Sequence, residues 1–351
     1  MPETFTVPPA LDPGDTIAVV RPAAAAGTGR YPDHLLELGL DRLRQGFDLD
    51  PVVYDSVEKD GDWLYHNPSF RARELERAFR DPDVRGVVAV IGGNDQIRVL
   101  PHLDGEVIRE HPTRFYGSSD NSSFAAFCRR RGVVTFYGGD LFTDVAEPGG
   151  INEYSREYLR RAYFADSLGT VREAERFTDQ DLDWNDPANL DRDPEYETTE
   201  GRRWHVADDG PARVDGRTWG GSLEVTYSHF AADRALPADT DGSVLLLETS
   251  EEMPSAGTVR RMVTALGQRS ALDVGAVLVG RAKARSHLEE RSPDERAAYR
   301  DRQREAVVET VREYSDAIVV TDCEFGHTKP IAPVPVGGRV TVDAEVREIH
   351  F

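Results

Sequence analysis

The sequence predicts an α/β fold, with a first domain built on a parallel sheet and a second, smaller α/β domain after it. In the first half of the 351 residues, short apolar runs alternate with stretches of helical periodicity. This alternation is typical of a parallel sheet covered by helices on both faces. An acidic stretch without periodicity, residues 172–212, separates this half from a last third in which the alternation resumes. We therefore predict domains over residues 1–166 and 213–351, joined by a connecting and substrate-binding loop over 167–212.

Small residues stand at the carboxyl ends of two predicted strands in the first half. The strands are predicted over 16–22, 50–55, 84–93, 113–120 and 132–140, and the helices over 33–46, 69–82 and 121–132. Gly92 and Gly93 end one of these strands, and Ser118 and Ser119 end another. Ligand sites of open α/β sheets form at the carboxyl ends of the strands. We therefore expect both turns to lie at a site.

The last third continues the pattern after the acidic loop. Strands are predicted over 243–250, 274–282 and 316–327, helices over 255–268 and 294–314, and further strands within 333–351 around a turn at Gly337–Gly338. The loop of about forty residues is too long for an ordinary connection, so it is either a disordered linker or an ordered binding loop. Trp184, Tyr196 and Trp204 favour order at least as much as disorder, because aromatic rings are costly to leave in water.

Charge and composition exclude several classes of partner. The chain has 63 acidic and 42 basic residues and a net charge of −21, so its surface repels phosphate backbones and we expect no nucleic-acid polymer as partner. No apolar run is long enough for a membrane span, and the acidic N-terminus lacks the features of a secretory signal, which predicts a cytoplasmic protein. Histidines and cysteines do not occur at metal-ligand spacing. We expect neither a metal nor a cofactor.

The stretch FYGSSDNSSF, residues 115–124, suggests a nucleophile. Most turns rich in Ser and Asp only cap a helix, which is the alternative interpretation. A nucleophile on a sharp strand-to-helix turn needs a small residue two positions before it. Gly117 meets this need for Ser119, whereas Tyr116 precedes Ser118 by two positions. The backbone N–H of Asp120 and one from the Gly92–Gly93 turn are candidate donors to an oxyanion.

A serine nucleophile also needs a base and a third group that orients the base. His327 follows a predicted strand in EFGHTKP, although a lone histidine in a loop is usually solvated. Glu248 ends the apolar run SVLLLE, where a buried carboxylate needs a partner. An ion pair with an arginine, or a cap on the next helix, would satisfy this carboxylate equally well. Spacing alone does not show that the three side chains meet.

A set of motifs in fixed order resembles a known family. The motifs are GDTIAVVRP, IGGNDQIRVLPHLD, YGSSDNSSFAAF, TFYGGDL, WGGSLEV, LLLETSEE, AVLVGRA and EFGHTKPIAPVPVGG. Together they resemble the LD-carboxypeptidase family of serine peptidases over nearly the whole chain. The resemblance implies Ser119 as nucleophile, Glu248 as carboxylate and His327 as general base, with the amides of Gly93 and Asp120 as oxyanion donors. It also implies a flavodoxin-like N-terminal domain, an active site in the cleft between the domains, and a cytoplasmic homodimer.

The glycine turn and the acidic loop resemble one branch of this family. IGGNDQIRVLP is more similar to the microcin C immunity branch than to the murein branch, and Gly92 is expected to let substrate approach the backbone. In the immunity branch a loop tryptophan stacks on the nucleotide base of the substrate. The resemblance therefore implies this contact for Trp184, with Trp204 as a competitor and packing of the loop itself as the alternative. VRPAAAA departs from the family, which usually has a serine after this proline.

These observations support three functional hypotheses. The first is a serine hydrolase that forms an acyl-enzyme and cleaves an amide next to a carboxylate in a small peptide or an aminoacyl-nucleotide. The second keeps the same triad in a murein tetrapeptide LD-carboxypeptidase. The third is a non-catalytic binding protein on the same fold. A nucleotide-dependent oxidoreductase is disfavoured, because AAGTGR at 25–30 is only a fragment of a dinucleotide fingerprint and follows a proline.

Overall fold

The computed structural model describes residues 4–286 and 291–351 and has the α/β fold class that the sequence predicts. The strands are β1 (Thr16–Val20), β2 (Asp50–Val53), β3 (Val84–Ala89), β4 (Arg114–Gly117), β5 (Thr135–Tyr137), β6 (Arg176–Phe177), β7 (Glu197–Thr198), β8 (Arg203–His205), β9 (Arg213–Ser222), β10 (Val244–Glu248), β11 (Ala276–Gly280), β12 (Ile318–Cys323), β13 (Val334–Val336), β14 (Arg339–Asp343) and β15 (Glu348–His350). The helices are α1 (Asp33–Phe47), α2 (Gly61–His66), α3 (Pro68–Arg80), α4 (Gly105–Glu110), α5 (Ser122–Arg130), α6 (Glu153–Phe164), α7 (Leu223–Ala232), α8 (Ala256–Gly267) and α9 (Pro293–Arg312).

The first sheet has the strand order β13-β5-β4-β3-β1-β2. Its strands β1 to β5 are parallel, and their order 2-1-3-4-5 is that of flavodoxin-like folds. Ile17 and Val19 pack into one apolar cluster, whereas Ala18 and Val20 pack into another. Because successive side chains of a strand point to opposite faces, the continuous apolar run TIAVV buries both faces of the sheet.

The second sheet has the order β15-β14-β9-β10-β11-β12-β8. Strands β9 to β12 are parallel, and β8, β14 and β15 are antiparallel additions at its two sides. Leu245 and Leu247 of β10 pack into one cluster and Leu246 into the other. This central strand is therefore buried on both faces, as its apolar sequence predicts.

The chain passes from one sheet to the other near its C-terminal end. β13 pairs with β5 in the first sheet, and β14 pairs with β9 in the second. Gly337, at φ +86, lies in the turn between them. The sequence predicts two strands around this glycine pair but does not predict that they join different sheets. Side-chain contacts add to the connection, since His229 Nε2 lies 3.0 Å from Ser123 Oγ.

The acidic loop is ordered by ion pairs with the second sheet and its helices. Buried Asp179 pairs with Arg285 at 3.2 Å and with Arg300 at 3.0 Å. Arg202 pairs with Glu324 at 2.6 Å, and both side chains are almost fully buried. Buried charges are tolerated only when they are paired. These contacts show an ordered loop and not a disordered linker.

Three further features of the fold concern a helix end, the cysteines and membrane spans. α9 begins with a capping box in which Ser292 and Glu295 exchange hydrogen bonds with each other's backbone, the signature that Ser-x-x-Glu predicts. Cys128 and Cys323 are both buried and free, as is usual for small apolar side chains. Within residues 4–286 and 291–351, we find no helix long and apolar enough to cross a membrane.

Candidate active site

Ser119 lies on a sharp turn between β4 and α5. Ser118 is extended, with φ −120° and ψ −175°, and Ser119 follows with φ +56°. Residues Ser119–Asn121 form a short 3-10 turn that leads into α5. A positive φ is unfavourable for a residue with a Cβ, so the neighbouring contacts must hold this conformation. This strand, strained turn and helix form the context that a serine nucleophile on an α/β sheet requires.

Two glycines make room for this turn. A Cβ on Gly92 would lie 2.7 Å from Ser119 Cβ and 3.1 Å from its Oγ. A Cβ on Gly117 would lie 2.9 Å from Asn121 Cβ, across the bend. Both distances are shorter than non-bonded carbon contacts allow. The structure therefore explains why a small residue stands two positions before Ser119, and it places Gly92 directly against the serine.

The backbone next to Gly92 offers the two N–H groups that are predicted as oxyanion donors. The position of a Cβ on Gly92 is 3.4 Å from the nitrogen of Asp120. Gly93 packs so closely on the preceding loop that a Cβ there would lie 2.4 Å from the carbonyl oxygen of Ala24. Among the described residues, the Gly93 N–H has no hydrogen-bond acceptor. An N–H group without an acceptor, one residue after the glycine that contacts Ser119, is a candidate donor to an oxyanion.

The Ser118 hydroxyl is committed elsewhere. Its Oγ donates a hydrogen bond to Asp140 Oδ2, and its backbone N–H donates to the same oxygen at 2.9 Å. Burial raises the pKa of Asp140, although the Ser118 hydrogen bond and the charge of Lys329 oppose this shift. Burial lowers the pKa of Lys329 to about 7. Of the two serines in the turn, Ser119 is therefore the one available for chemistry.

His327 and Glu248 meet at the carboxyl end of the second sheet. Glu248 is the last residue of β10, and His327 lies in the loop after β12. Nδ1 of the imidazole lies 2.7 Å from Glu248 Oε2, and the carboxylate is fully buried. A Cβ on Gly326 would lie 2.6 Å from this same oxygen. The glycine before His327 thus allows the loop to approach the carboxylate, and the histidine is not a solvated loop residue.

The other nitrogen of His327 faces a second carboxylate. Nε2 lies 3.0 Å from Oε2 of Glu251, whose side chain is 64% exposed. Burial would lower the pKa of His327, but Glu248 and Glu251 outweigh it and raise that pKa well above its usual value. The hydrogen bond from His327 lowers the pKa of Glu251 to about 2. In this state the ring is an imidazolium held between two carboxylates.

Tyr137 connects the two halves of the site. Its hydroxyl donates to Glu248 Oε1 at 2.5 Å and accepts the backbone N–H of Ser119 at 3.0 Å. The ring is fully buried at the end of β5. Burial and the neighbouring Glu248 charge raise the pKa of Tyr137 well above its usual value, so the phenol keeps its proton. One side chain of the first sheet therefore positions both the nucleophile turn and the carboxylate.

The Asp120 side chain has a structural role that is separate from its backbone N–H. Its Oδ2 accepts the backbone N–H groups of Asp95 and Gln96, each at 2.8 Å. Burial raises the pKa of Asp120 to about 7 against these hydrogen bonds. The side chain of Gln96 reaches Asn121 Oδ1 at 2.8 Å. These contacts tie the loop after Gly93 to the nucleophile turn and fix their relative position.

The structure brings together only part of the predicted triad. His327 and Glu248 are hydrogen-bonded, and Tyr137 links Glu248 to the backbone of Ser119. Within the described residues, no hydrogen bond joins the Ser119 hydroxyl to His327, and Nε2 of His327 pairs with Glu251 instead. The described residues also contain no group of three or more His, Cys, Asp or Glu side chains that could hold a metal ion.

The two candidate tryptophans lie in different regions. Trp184 is partly buried against the core of the first sheet, and its carbonyl oxygen lies 2.7 Å from His34 Nε2. Trp204 lies in β8, opposite Val320 of β12, and packs against the core of the second sheet. Its indole N–H is buried without a partner in the part of the chain that the structure describes. Trp184 is thus a loop residue beside the first sheet, and Trp204 is a strand residue.

Three residues of the site are missing from the sequence-based prediction. They are Tyr137, Glu251 and Asp140, which contact Glu248, His327 and Ser118 respectively. Tyr137 and Asp140 do occur in the motif TFYGGDL, and Glu251 in LLLETSEE. Nothing in those motifs shows which neighbours their side chains reach. The only signal in the sequence is that these residues stand in motifs of the family resemblance, and contact geometry alone supplies their roles.

Comparisons with known proteins identify the family of this chain. Residues 17–138 match the model of the LD-carboxypeptidase N-terminal domain, and residues 215–342 match that of the LD-carboxypeptidase C-terminal domain. The chain is 31% identical over 348 residues to a predicted carboxypeptidase of Streptomyces coelicolor, covering 96% of this chain and 93% of the relative. It is 24% identical over 285 residues to the microcin C7 self-immunity protein MccF of Escherichia coli, covering 80% and 77%.

A solved structure shows the same fold. The MccF-like protein from Streptococcus pneumoniae in complex with AMP superposes with a TM-score of 0.84 at 26% identity, covering 96% of this chain and 98% of that one. The match to the N-terminal domain model includes Ser119, and the match to the C-terminal domain model includes Glu248 and His327. The chain therefore belongs to the LD-carboxypeptidase family and lies near its MccF branch.

Proposed function

We propose that this protein is a serine hydrolase that cleaves an amide next to a carboxylate in a small peptide or an aminoacyl-nucleotide. Ser119 is the nucleophile, His327 the general base and Glu248 the carboxylate that orients it. The observation that carries the proposal is the 2.7 Å hydrogen bond from His327 to buried Glu248, linked through Tyr137 to the backbone of Ser119. A base, its orienting group and a nucleophile on a strained turn are the elements of such a site.

The reaction proceeds in two steps, acylation of Ser119 and hydrolysis of the acyl-enzyme. Ser119 Oγ attacks the scissile carbonyl carbon, its proton passes to His327 Nε2, and the N–H groups of Gly93 and Asp120 stabilise the oxyanion. The carbon–nitrogen bond then breaks, and the imidazolium gives its proton to the leaving nitrogen. Water attacks the acyl-enzyme with the imidazole as base, which releases the acid and restores Ser119. For both steps Nε2 must face Ser119 and not Glu251.

An aminoacyl-nucleotide is the substrate class that the comparisons support best. The related protein from Streptococcus pneumoniae was solved in complex with AMP, and MccF of Escherichia coli is a microcin C7 self-immunity protein. We propose that Trp184, which lies beside the first sheet, stacks on the base and that Gly92 lines the pocket at the acyl end. Stacking on an aromatic side chain tolerates different bases, because every base has a π face.

Three further expectations accompany this proposal. The domain boundaries near residues 166 and 212, the homodimer and the cytoplasmic location stay predictions. Sedimentation of the purified chain at several concentrations measures the oligomeric state directly. A single species at the mass of one chain, 39.0 kDa, over the whole concentration range would contradict the homodimer.

Mass spectrometry of reaction products tests the proposed function. Wild type is incubated with a panel of aminoacyl sulfamoyl nucleotides and with murein tetrapeptides, and the products are identified by mass. We expect hydrolysis of the nucleotides and a loss of about 10³-fold or more in Ser119→Ala. Ser118→Ala is the matched control and should retain most of the activity. Hydrolysis of tetrapeptides alone would support the murein alternative, and full activity of Ser119→Ala would refute the assigned nucleophile.

A further inference from the structure

The state of His327 in this structure is not the one that hydrolysis needs. Both ring nitrogens face carboxylates, with Nδ1 at 2.7 Å from Glu248 and Nε2 at 3.0 Å from Glu251. An imidazolium that donates to two carboxylates has no lone pair left for the Ser119 proton. A substrate that reacts in this site must therefore separate Nε2 from Glu251.

The two carboxylates around His327 differ in how firmly they are held. Glu248 is fully buried at the end of β10 and also accepts the Tyr137 hydroxyl. Glu251 lies three residues later, in a turn closed by the Met253 N–H and the Ser250 carbonyl at 3.1 Å. Its side chain is 64% exposed. An exposed ion pair exchanges its partner readily, whereas a buried carboxylate that accepts two hydrogen bonds does not. Glu251 is thus the partner that substrate can displace.

A cation would stabilise Glu251 after its displacement, and two lysines of this region are already engaged. Lys283 donates to Asp181 Oδ1 at 2.7 Å and to the Asp179 carbonyl at 3.2 Å. Lys329 is paired with Asp144. An ammonium group carried by the substrate would give Glu251 a new partner as His327 leaves it. In an aminoacyl compound, the α-ammonium lies on the carbon next to the scissile carbonyl and so within a few bonds of the reacting centre.

We propose that Glu251 is a specificity residue, which accepts the α-ammonium of an aminoacyl substrate and thereby releases Nε2 of His327 towards Ser119. This inference rests on the proposed function, because it assumes that the acyl group is positioned at Ser119. It narrows the substrate class to compounds with a free amine beside the scissile carbonyl. N-acylated compounds lack the charge that draws Glu251 away.

Calorimetry on a variant that cannot turn over tests this contact. An aminoacyl sulfamoyl adenosine and its N-acetyl derivative are titrated into Ser119→Ala, Ser119→Ala/Glu251→Gln and Ser119→Ala/Glu252→Gln. Glu252 is an exposed neighbour of the same charge and serves as the matched control. We expect Ser119→Ala to bind the free amine at least tenfold more tightly than the N-acetyl compound. Glu251→Gln should abolish this preference, and Glu252→Gln should keep it.

A kinetic comparison separates specificity from a merely structural role. Glu251→Ala should lose kcat/KM for the free amine, while kcat/KM for the N-acetyl compound should rise, because the carboxylate that competes for Nε2 is gone. An equal loss for both compounds would overturn the proposal. The proposal would also be overturned if Ser119→Ala bound the two compounds equally tightly, or if it bound neither of them. Amine-dependent binding without hydrolysis by wild type would instead refute the hydrolase and leave the Glu251 contact standing.

Discussion

The two halves of the site are held in place by different forces. On the Ser119 side, close packing fixes the geometry, because the glycines at 92 and 117 leave no room for another carbon atom. On the His327 side, charge fixes it, since two carboxylates hold one imidazolium. The first half should therefore respond chiefly to added volume, and its pH-sensitive contact is Asp120, whose pKa burial raises to about 7. The second should respond to charge and pH and tolerate small changes of shape.

Gly92→Ala should produce the largest effect on the packed half. The added methyl group would lie 2.7 Å from Ser119 Cβ, so either the serine turn or the loop must move. A misplacement of about 1 Å in an active site costs roughly 10²-fold in rate. We therefore expect kcat/KM to fall by about 10²-fold or more, as measured with the nucleotide substrate identified by mass spectrometry.

Gly29→Ala is the matched control for this substitution. A Cβ at Gly29 would meet nothing within 4 Å, and its φ is not in the left-handed region. This variant should keep wild-type kinetics and a wild-type free energy of unfolding. If Gly92→Ala were as active as Gly29→Ala, then packing against Gly92 would not position the nucleophile. Close packing would then not be what fixes the Ser119 side of the site.

The tryptophans extend the comparison to ligand binding. We expect Trp184→Ala to weaken AMP binding by about 1–3 kcal/mol, the range for stacking of a base on an aromatic ring. Trp204 packs in the core of the second sheet, so Trp204→Ala should lower the free energy of unfolding and leave AMP affinity near its wild-type value. Calorimetric titration with AMP and denaturant unfolding measure the two effects. The reverse result would move the nucleotide contact to Trp204.

The same contrast explains how much of the molecule the sequence predicts. The fold class follows from apolar strands such as TIAVV, which can only be buried on both faces. Gly117 also distinguishes Ser119 from Ser118 in the sequence itself, because a sharp turn requires a small residue at a fixed spacing. Steric requirements of this kind are local, so they leave a pattern in the sequence.

Hydrogen bonds and ion pairs between residues that are far apart in the sequence leave no such pattern. Tyr137 and Glu248 are 111 positions apart and meet only in the folded chain. Glu251 stands beside Glu252 in the motif LLLETSEE, and nothing in the sequence shows that one of the two contacts His327. Strand β13 likewise joins the first sheet because it pairs with β5 in the folded chain. Such facts depend on tertiary geometry, which neither residue periodicity nor motif spacing encodes.

Tyr137→Phe tests the link between the two halves. The substitution removes the donor to Glu248 and the acceptor of the Ser119 N–H, one buried and one partly buried hydrogen bond. A buried polar group left without a partner costs about 1–3 kcal/mol, so we expect a loss of that size in the free energy of unfolding. The kcat of the variant should also fall, because the serine turn loses a support.

Tyr163→Phe is the control, since the Tyr163 hydroxyl is equally buried but has no hydrogen-bond partner among the described residues. Removing this hydroxyl should be neutral or slightly stabilising. Urea unfolding of both variants, followed by circular dichroism, gives the comparison. Equal stability of the two variants would mean that Tyr137 fills space in the same way as Tyr163 and does not join the halves.

The pH profile should show the smallest effect, and the shift of its midpoint between variants of Glu251 and Glu252 tests the charged half. Glu248, Glu251 and Asp140 are the charged groups that act on His327, and the first two raise its pKa above the usual value of about 6.5. The base works only when deprotonated, so kcat/KM should rise with pH around a midpoint above that value. The stabilisation from the imidazolium has the opposite sign: it is complete below pH of about 6.5 and is lost as pH rises through the raised pKa.

Glu251→Gln should move the midpoint of the kcat/KM profile to lower pH. Exposed ion pairs contribute at most about 1 kcal/mol, and one pKa unit corresponds to about 1.36 kcal/mol, so the shift should be less than about one unit. Glu252→Gln should leave the midpoint in place. Because Glu248 is buried, Glu248→Gln should shift the midpoint further than Glu251→Gln does. An unchanged midpoint in Glu251→Gln would mean that the carboxylate at 251 does not control the base, and the charged half would then consist of Glu248 and His327 alone.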